Sequence, residues 1–302
     1  MIAPRSPSVK TTLTAHRLPG VRRVTIAAGF VCKDGIVMCA DSQEVSNDYK
    51  WPVKKLSFPR STSGRTRIII AGAGFGAAID TATQKIFARV SMNELSYEQT
   101  LFAIEAVLRE LHEKDLPNHP YGTQTEFNLM IAFQSHDGGG GLFTTSGSLV
   151  TRVDRFEVIG SGAVTKFFAH MMYRETPWES PILTMSEGTI LSAYLIYLAK
   201  SQLSSIGGKS QLITLDWEGN MRFASDWEVP SWEQFFSEYQ WQSNQVMLDC
   251  ADPTSSEEDF NARLDGQVIA LKAMKRSLTE RRQQWDEIWK KVTNAVGHMP
   301  MP

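Results

Sequence analysis

Thr25-Ile-Ala-Ala-Gly-Phe-Val-Cys-Lys33-Asp34-Gly35-Ile-Val-Met-Cys-Ala-Asp41 is the stretch from which the rest of the chain is read. Two β-rich apolar runs, Val24 to Val31 and Ile36 to Ala40, flank the triplet Lys33-Asp34-Gly35. Asp-Gly supplies the positive φ that a tight connection needs, so the pattern predicts an antiparallel hairpin. A threonine is the second residue of the first run and an aspartate follows the second run.

Outward from this hairpin, Ser42 to Ser63 is polar. Arg67 to Ala71, with its isoleucine triplet, reads as a fully buried strand ending in Gly72-Ala-Gly74-Phe-Gly76. Ala77 to Val90 and Tyr97 to Lys114 have helical spacing, with Leu101, Ile104, Leu108 and Leu111 forming one stripe in the second. Phe127 to Phe133 and Gly141 to Thr145 read as strands about a turn at His136 to Gly140, followed by short strands at Val150 to Val153 and Phe156 to Ile159. Val164 to Tyr173 and Glu187 to Leu203 are helical, the latter capped by Ser186. Ser210 to Leu215 and Met221 to Ala224 form a last hairpin. This order of strands and helices predicts an α+β fold with helices on both outer sides of stacked sheets.

The chain divides into three parts. Met1 to Val24 is a leader: no acidic residue occurs before Asp34, Arg5, Lys10, Arg17, Arg22 and Arg23 are basic, and Pro4, Pro7 and Pro19 break any helix. It reads as a removable propeptide, a transit-like peptide, or sequence upstream of the true start. Thr25 to Asp226 forms the folded domain. Trp227 to Pro302 is a helical extension, in which Trp227, Trp232, Phe235, Phe236, Tyr239 and Trp241 crowd ahead of a polar loop at Asp252 to Ser256 and a charged helical run.

The 302 residues can bury a substantial core, and their formal charge of −2 gives no reason to expect nucleic acid or an anionic membrane as partner. A small or peptide-like ligand fits better. Cys32, Cys39 and Cys250 lack metal-ligand spacing and suit buried structural roles in a reducing compartment. The six histidines show no paired spacing, so neither a metal nor another cofactor is expected. No apolar run approaches the roughly 20 residues that span a bilayer, and no signal-peptide stretch is present, which points to the cytoplasm.

Thr25-Ile-Ala-Ala-Gly-Phe, Lys33 through Asp41-Ser, Lys54-Lys55-Leu and Ile70-Ala-Gly72, in that order and spacing, resemble the β-subunits of proteasomes and their bacterial relatives. The resemblance continues through Ile159-Gly-Ser161-Gly to Gly207-Gly208 and covers Val24 to Ala224. It implies a four-layer αββα sandwich of the N-terminal-nucleophile hydrolase type and a homo-oligomeric ring. It also implies that Thr25 is the nucleophile of a threonine peptidase or amidase, that Ser161 contacts the threonine amine, and that Val53 and Ile70 line a pocket for an apolar side chain before the scissile bond.

The chemistry is self-consistent. An N-terminal threonine carries its own base, an α-amine with pKa about 7.7 to 8.0, able to accept the hydroxyl proton. A lysine at Lys55 favours the free amine by its charge, Asp41 orients that lysine, and the Gly72 N–H donates to the oxyanion. Singly, each of these residues also suits an ordinary strand or turn. Three positions depart from the family pattern: Leu203 and Ile206 stand where an aspartate and a serine are expected, and Val24 stands where a glycine usually precedes the threonine. If Val24 were itself the initiation site, methionine removal would expose Thr25. The alternative is a catalytically silent ring subunit or scaffold. A dinucleotide-binding reading of Gly72-Ala-Gly74-Phe-Gly-Ala77 lacks its acidic partner, since Glu94 falls between two helices.

Overall fold

The computed structural model describes residues 22–23, 26–46, 49–59, 66–91, 93–117, 126–160, 166, 183–224 and 227–296. The expected helix over 164–173 falls outside them apart from Lys166. Two compact units divide the chain, one up to Ala224 and one from Ser225.

The first unit is α+β, and its strands pair antiparallel throughout. Its strands are β1 (Arg22–Arg23), β2 (Ile26–Cys32), β3 (Gly35–Ala40), β4 (Gln43–Ser46), β5 (Tyr49–Pro52), β6 (Leu56–Ser57), β7 (Arg67–Phe75), β8 (Phe127–Gln134), β9 (Gly140–Ser146), β10 (Leu149–Val153), β11 (Phe156–Gly160), β12 (Gln211–Asp216) and β13 (Met221–Phe223). One sheet has the order β1-β7-β8-β9-β10, with β6 also on β7; the other has the order β11-β2-β3-β12-β13. β4 and β5 form a separate hairpin.

The side-chain alternation of β7 explains the stacking. Ile68 and Ile70 enter a core with α1 (Gly76–Val90) and α2 (Tyr97–Glu110), joined by Ile79, Ile86, Ile104 and Leu108. Ile69, Ala71 and Ala73 point the other way, into a core shared with Ala27, Ile36, Met38 and Ile213 of the second sheet. Each fully buried isoleucine contributes about 1.5–3 kcal/mol. On the second sheet, α3 (Met185–Gln202) packs against β2, β3 and β12.

Several details differ from the pattern-based expectation. The β2–β3 connection is two residues, Lys33 and Asp34, with Gly35 already paired to Cys32. The strand expected to stop at Ala71 continues through the glycines to Phe75, because β8 pairs with it as far as Gly74. The cap of α3 is Thr184, not Ser186: Thr184 and Glu187 exchange side-chain and backbone hydrogen bonds in a capping box. The polar stretch after Ser42 contains β4, β5 and β6.

In the second unit, α4 (Glu228–Ala251) and α5 (Glu257–Val296) pack on each other, tied by an Arg263–Asp249 ion pair and a Gln267–Ser243 hydrogen bond of 3.2 Å. Among the described residues no helix is long and apolar enough to cross a membrane.

Two predictions follow from this packing. A Cβ on Gly29 would lie 2.8 Å from Leu142 Cδ2 and Met130 Sδ, so Gly29→Val forces the inter-sheet core apart and lowers unfolding free energy by about 1–3 kcal/mol in urea titration. Burial, with Asp34 and Glu187 adding to it, pushes the Cys32 thiol up to about 12, and burial likewise pushes Cys39 up to about 12, whereas Cys250 is exposed. Both buried thiols therefore stay protonated and unreactive at pH 8, and titration with a disulfide reagent shows Cys250 reacting alone before unfolding.

Candidate active site

Asp41 follows the last residue of β3 and is fully buried. Its Oδ1 accepts from Lys55 Nζ at 2.6 Å and from the Ile26 N–H at 3.2 Å. Oδ2 accepts from the N–H groups of Gln43 at 3.2 Å and Gly207 at 3.3 Å. A carboxylate offers about four lone-pair sites, so one cation and three backbone donors fill it. The side chains of Asp41 and Lys55 are both 0% exposed. A buried pair of this kind persists only when further hydrogen bonds offset its desolvation, and the three amides supply them.

The backbone around Lys55 is clamped from β12. Gln211 Oε1 accepts from the N–H groups of Lys55 and Leu56, each at 3.0 Å, while Gln211 Nε2 donates to Val53 O at 2.9 Å. Behind Asp41, the loop after α3 docks on the β4–β5 hairpin. Lys50 Nζ donates to Ser204 O at 2.8 Å, and the Ser42 N–H donates to Gly207 O at 3.3 Å. Leu203, the C-cap of α3, and Ile206 belong to this loop; neither can supply the carboxylate or hydroxyl that the family pattern has there.

Thr25 and Ser161 lie outside the described residues, but the residues joined to them do not. The Ile26 N–H held by Asp41 belongs to the peptide that links Thr25 to Ile26. Ile26 also pairs with Gly160, the residue before Ser161.

Gly72 lies inside β7, not at its end as expected. The Leu129 N–H points to β9, where it donates to Thr145 Oγ1 at 2.8 Å, so Met130 and Asn128 face β7 and bond Ala71 and Ala73. By alternation the Gly72 N–H points to the outer edge of β7. On that edge β6 pairs up to Ala71 and β1 pairs from Gly74, which leaves Gly72 between them, one register step from Lys55. A Cβ at Gly72 would lie 2.4 Å from Ile79 Cγ2, so the position admits glycine alone without displacing α1. Ile70 shares that face of β7 and is buried; Val53 is half-buried beside Lys55.

Asp41, Lys55 and the backbone of Ile26 are thus in direct contact, and Gly72 adjoins them through register. The pattern of residue types missed Gly207 and Gln211. The Gly207-Gly208 pair was visible in the sequence, but its donation to Asp41 was not; nothing marks Gln211 among ordinary polar strand residues.

No family model matches the chain, and no curated protein matches it. Solved structures do. Anbu (ancestral beta-subunit) from Yersinia bercovieri superposes with a TM-score of 0.58 at 13% identity, over 77% of this chain and 100% of that one. Anbu from Hyphomicrobium sp. strain MC1 gives 0.57 at 17% identity, over 73% and 97%. The helical assembly of the Anbu complex from Pseudomonas aeruginosa gives 0.57 at 15% identity, over 78% and 99%. At these identities the likeness shows the fold, which is proteasome-related. It also corrects the assignment to the proteasome β-subunit family: the structural neighbours are Anbu proteins, proteasome-like but distinct, and no family model or curated protein supports the β-subunit assignment.

Lys55→Met leaves Asp41 buried without its cation and is expected to cost about 3–5 kcal/mol in urea unfolding. Adding Asp41→Asn recovers part of that loss. Equal stability of Lys55→Met and the parent protein would show that the pair is not desolvated in solution.

Proposed function

We propose that the chain is a threonine-type hydrolase of amide bonds in which Thr25, once N-terminal, is the nucleophile. The observation that carries this reading is the Asp41 carboxylate, which holds Lys55 and the Ile26 N–H together in one buried site. The four-layer αββα arrangement of N-terminal-nucleophile hydrolases fits the packing of α1 and α2 on one sheet and α3 on the other. In this reading Thr25 to Asp226 is the catalytic domain, Met1 to Val24 a removed leader, and Trp227 onward an added helical segment. Homo-oligomerisation is part of the proposal, supported by the helical assembly of the Pseudomonas aeruginosa Anbu complex.

The steps follow from elementary chemistry. The Thr25 Oγ–H gives its proton to the α-amine as Oγ bonds the substrate carbonyl carbon. The Gly72 N–H, directed to that edge of β7, donates to the oxyanion, and Ser161 supports the amine. The ammonium then protonates the leaving nitrogen as the C–N bond breaks, leaving an ester on Thr25. Water, deprotonated by the amine, hydrolyses the ester and restores the hydroxyl. Lys55, anchored by Asp41, keeps positive charge beside the amine and favours its free-base form. Val53 and Ile70 favour an apolar side chain before the scissile bond.

A second reading, a catalytically silent assembly subunit of the same fold, is favoured by Leu203, which brings no carboxylate to the site. Substitution separates the two. Thr25→Ala is expected to abolish turnover of fluorogenic peptide amides while the fold and assembly persist, and an epoxyketone is expected to add to Thr25 of the active protein. Turnover that survives Thr25→Ala, or an absence of both turnover and labelling, rules out the hydrolase reading.

A further inference from the structure

Between the end of β5 at Pro52 and the start of β6 at Leu56, residues 53–55 belong to no strand or helix. Main-chain groups without a ladder must find other partners. One side chain provides most of them here. Gln211 Oε1 accepts from the N–H groups of Lys55 and Leu56, each at 3.0 Å, and Gln211 Nε2 donates to Val53 O at 2.9 Å. The carboxamide, which offers an acceptor and a donor at once, thus serves this segment as a neighbouring strand would.

The place of Gln211 in the fold connects this clamp to the buried ion pair. Gln211 opens β12 and pairs with Ala40, the residue before Asp41. Its main chain is therefore tied to the end of β3 that carries Asp41, while its side chain is tied to the main chain that carries Lys55. Lys55 Nζ reaches Asp41 Oδ1 at 2.6 Å from a backbone that leads into a strand of only two residues. A lysine head rides on a flexible four-carbon stem, so it keeps one position only where its backbone is kept as well.

We infer that Gln211 is a positioning residue, which sets the Lys55 ammonium in its place by fixing residues 53–56 relative to the Asp41 end of β3. The placement of Lys55 is a property of the fold and stands without any reaction. Its catalytic consequence rests on the hydrolase reading, in which Lys55 keeps positive charge beside the Thr25 amine. Without the clamp the ammonium leaves that amine, the free-base form loses its support, and the acidic limb of the pH profile moves to higher pH.

The test has two arms and compares Gln211→Met, which fills the same space without the hydrogen bonds, with Thr214→Val, a control on the same strand away from the clamp. In the first arm, the full-length protein is treated with an acetylating ester, and modification of Lys55 is read by mass spectrometry against its exposed neighbour Lys54. Gln211→Met is expected to raise acetylation of Lys55 by about fivefold or more, and Thr214→Val to leave it at the parent level. In the second, kcat/KM for a fluorogenic peptide amide is followed against pH. Gln211→Met is expected to lower kcat/KM by about tenfold or more and to move its acidic limb up by about 0.5 pH unit or more, whereas Thr214→Val moves the limb in neither direction. Should Gln211→Met not fold, Gln211→Asn, whose carboxamide sits on a stem one methylene shorter, takes its place with the same expectations. Parent-like acetylation of Lys55, or an unmoved acidic limb, overturns the inference. If the parent protein hydrolyses nothing, the hydrolase reading fails and the acetylation arm alone decides whether Gln211 positions Lys55.

Discussion

A buried carboxylate with four donors organises the first unit of this protein. Asp41 gathers Lys55, the Ile26 and Gln43 amides and the Gly207 amide, groups that come from the start of β2, the entry to β4, the approach to β6 and the loop after α3. Left partly filled, the carboxylate would carry the cost of a desolvated charge, so each of the four segments is bound to the positions of the others. Gln211 adds a second restraint by holding the main chain on either side of Lys55. These constraints bring a lysine, an aspartate and the beginning of a strand into one water-excluded spot, which is what chemistry at the start of β2 would need.

The edge of β7 supplies the complementary half. Its glycine lets α1 approach closely while an N–H points outward between β6 and β1. In the proposed scheme, recognition of substrate by strand pairing and stabilisation of an oxyanion by the same strand would be parts of one geometry. β1 pairs with that edge, and in the proposed scheme the exposure of Thr25 removes it.

Much of this was legible in the residues, and the remainder depended on contacts remote in sequence. The alternating burial of Ile68, Ile69 and Ile70 marks β7 as a strand covered on both faces, and the β2–β3 hairpin follows from two apolar runs about a short polar connection. Asp41 and Lys55 stood out through the resemblance to proteasome β-subunits, not through any signal of their own. Thr184 was readable too, since Glu187 lies three residues on, but Ser186 offered the same chemistry nearer the apolar run. The hairpin of β4 and β5 was hidden because its residues lack an apolar period and pair through register and the Glu44–Trp51 contact. Gln211 could not be foreseen: its partners lie about 155 residues away, and a glutamine at a strand start has no signature of its own. Family assignment failed for a different reason, because short motifs around a shared fold do not distinguish proteasome β-subunits from the Anbu proteins that share it.

The central claim, that Thr25 acts through its own amine, is tested most directly by intact-mass measurement and N-terminal sequencing of the protein purified from its native host. The account predicts a mature chain that begins at Thr25 with an unblocked amine. A mature chain that retains Val24 ahead of Thr25 would leave the nucleophile without its base and contradict the account.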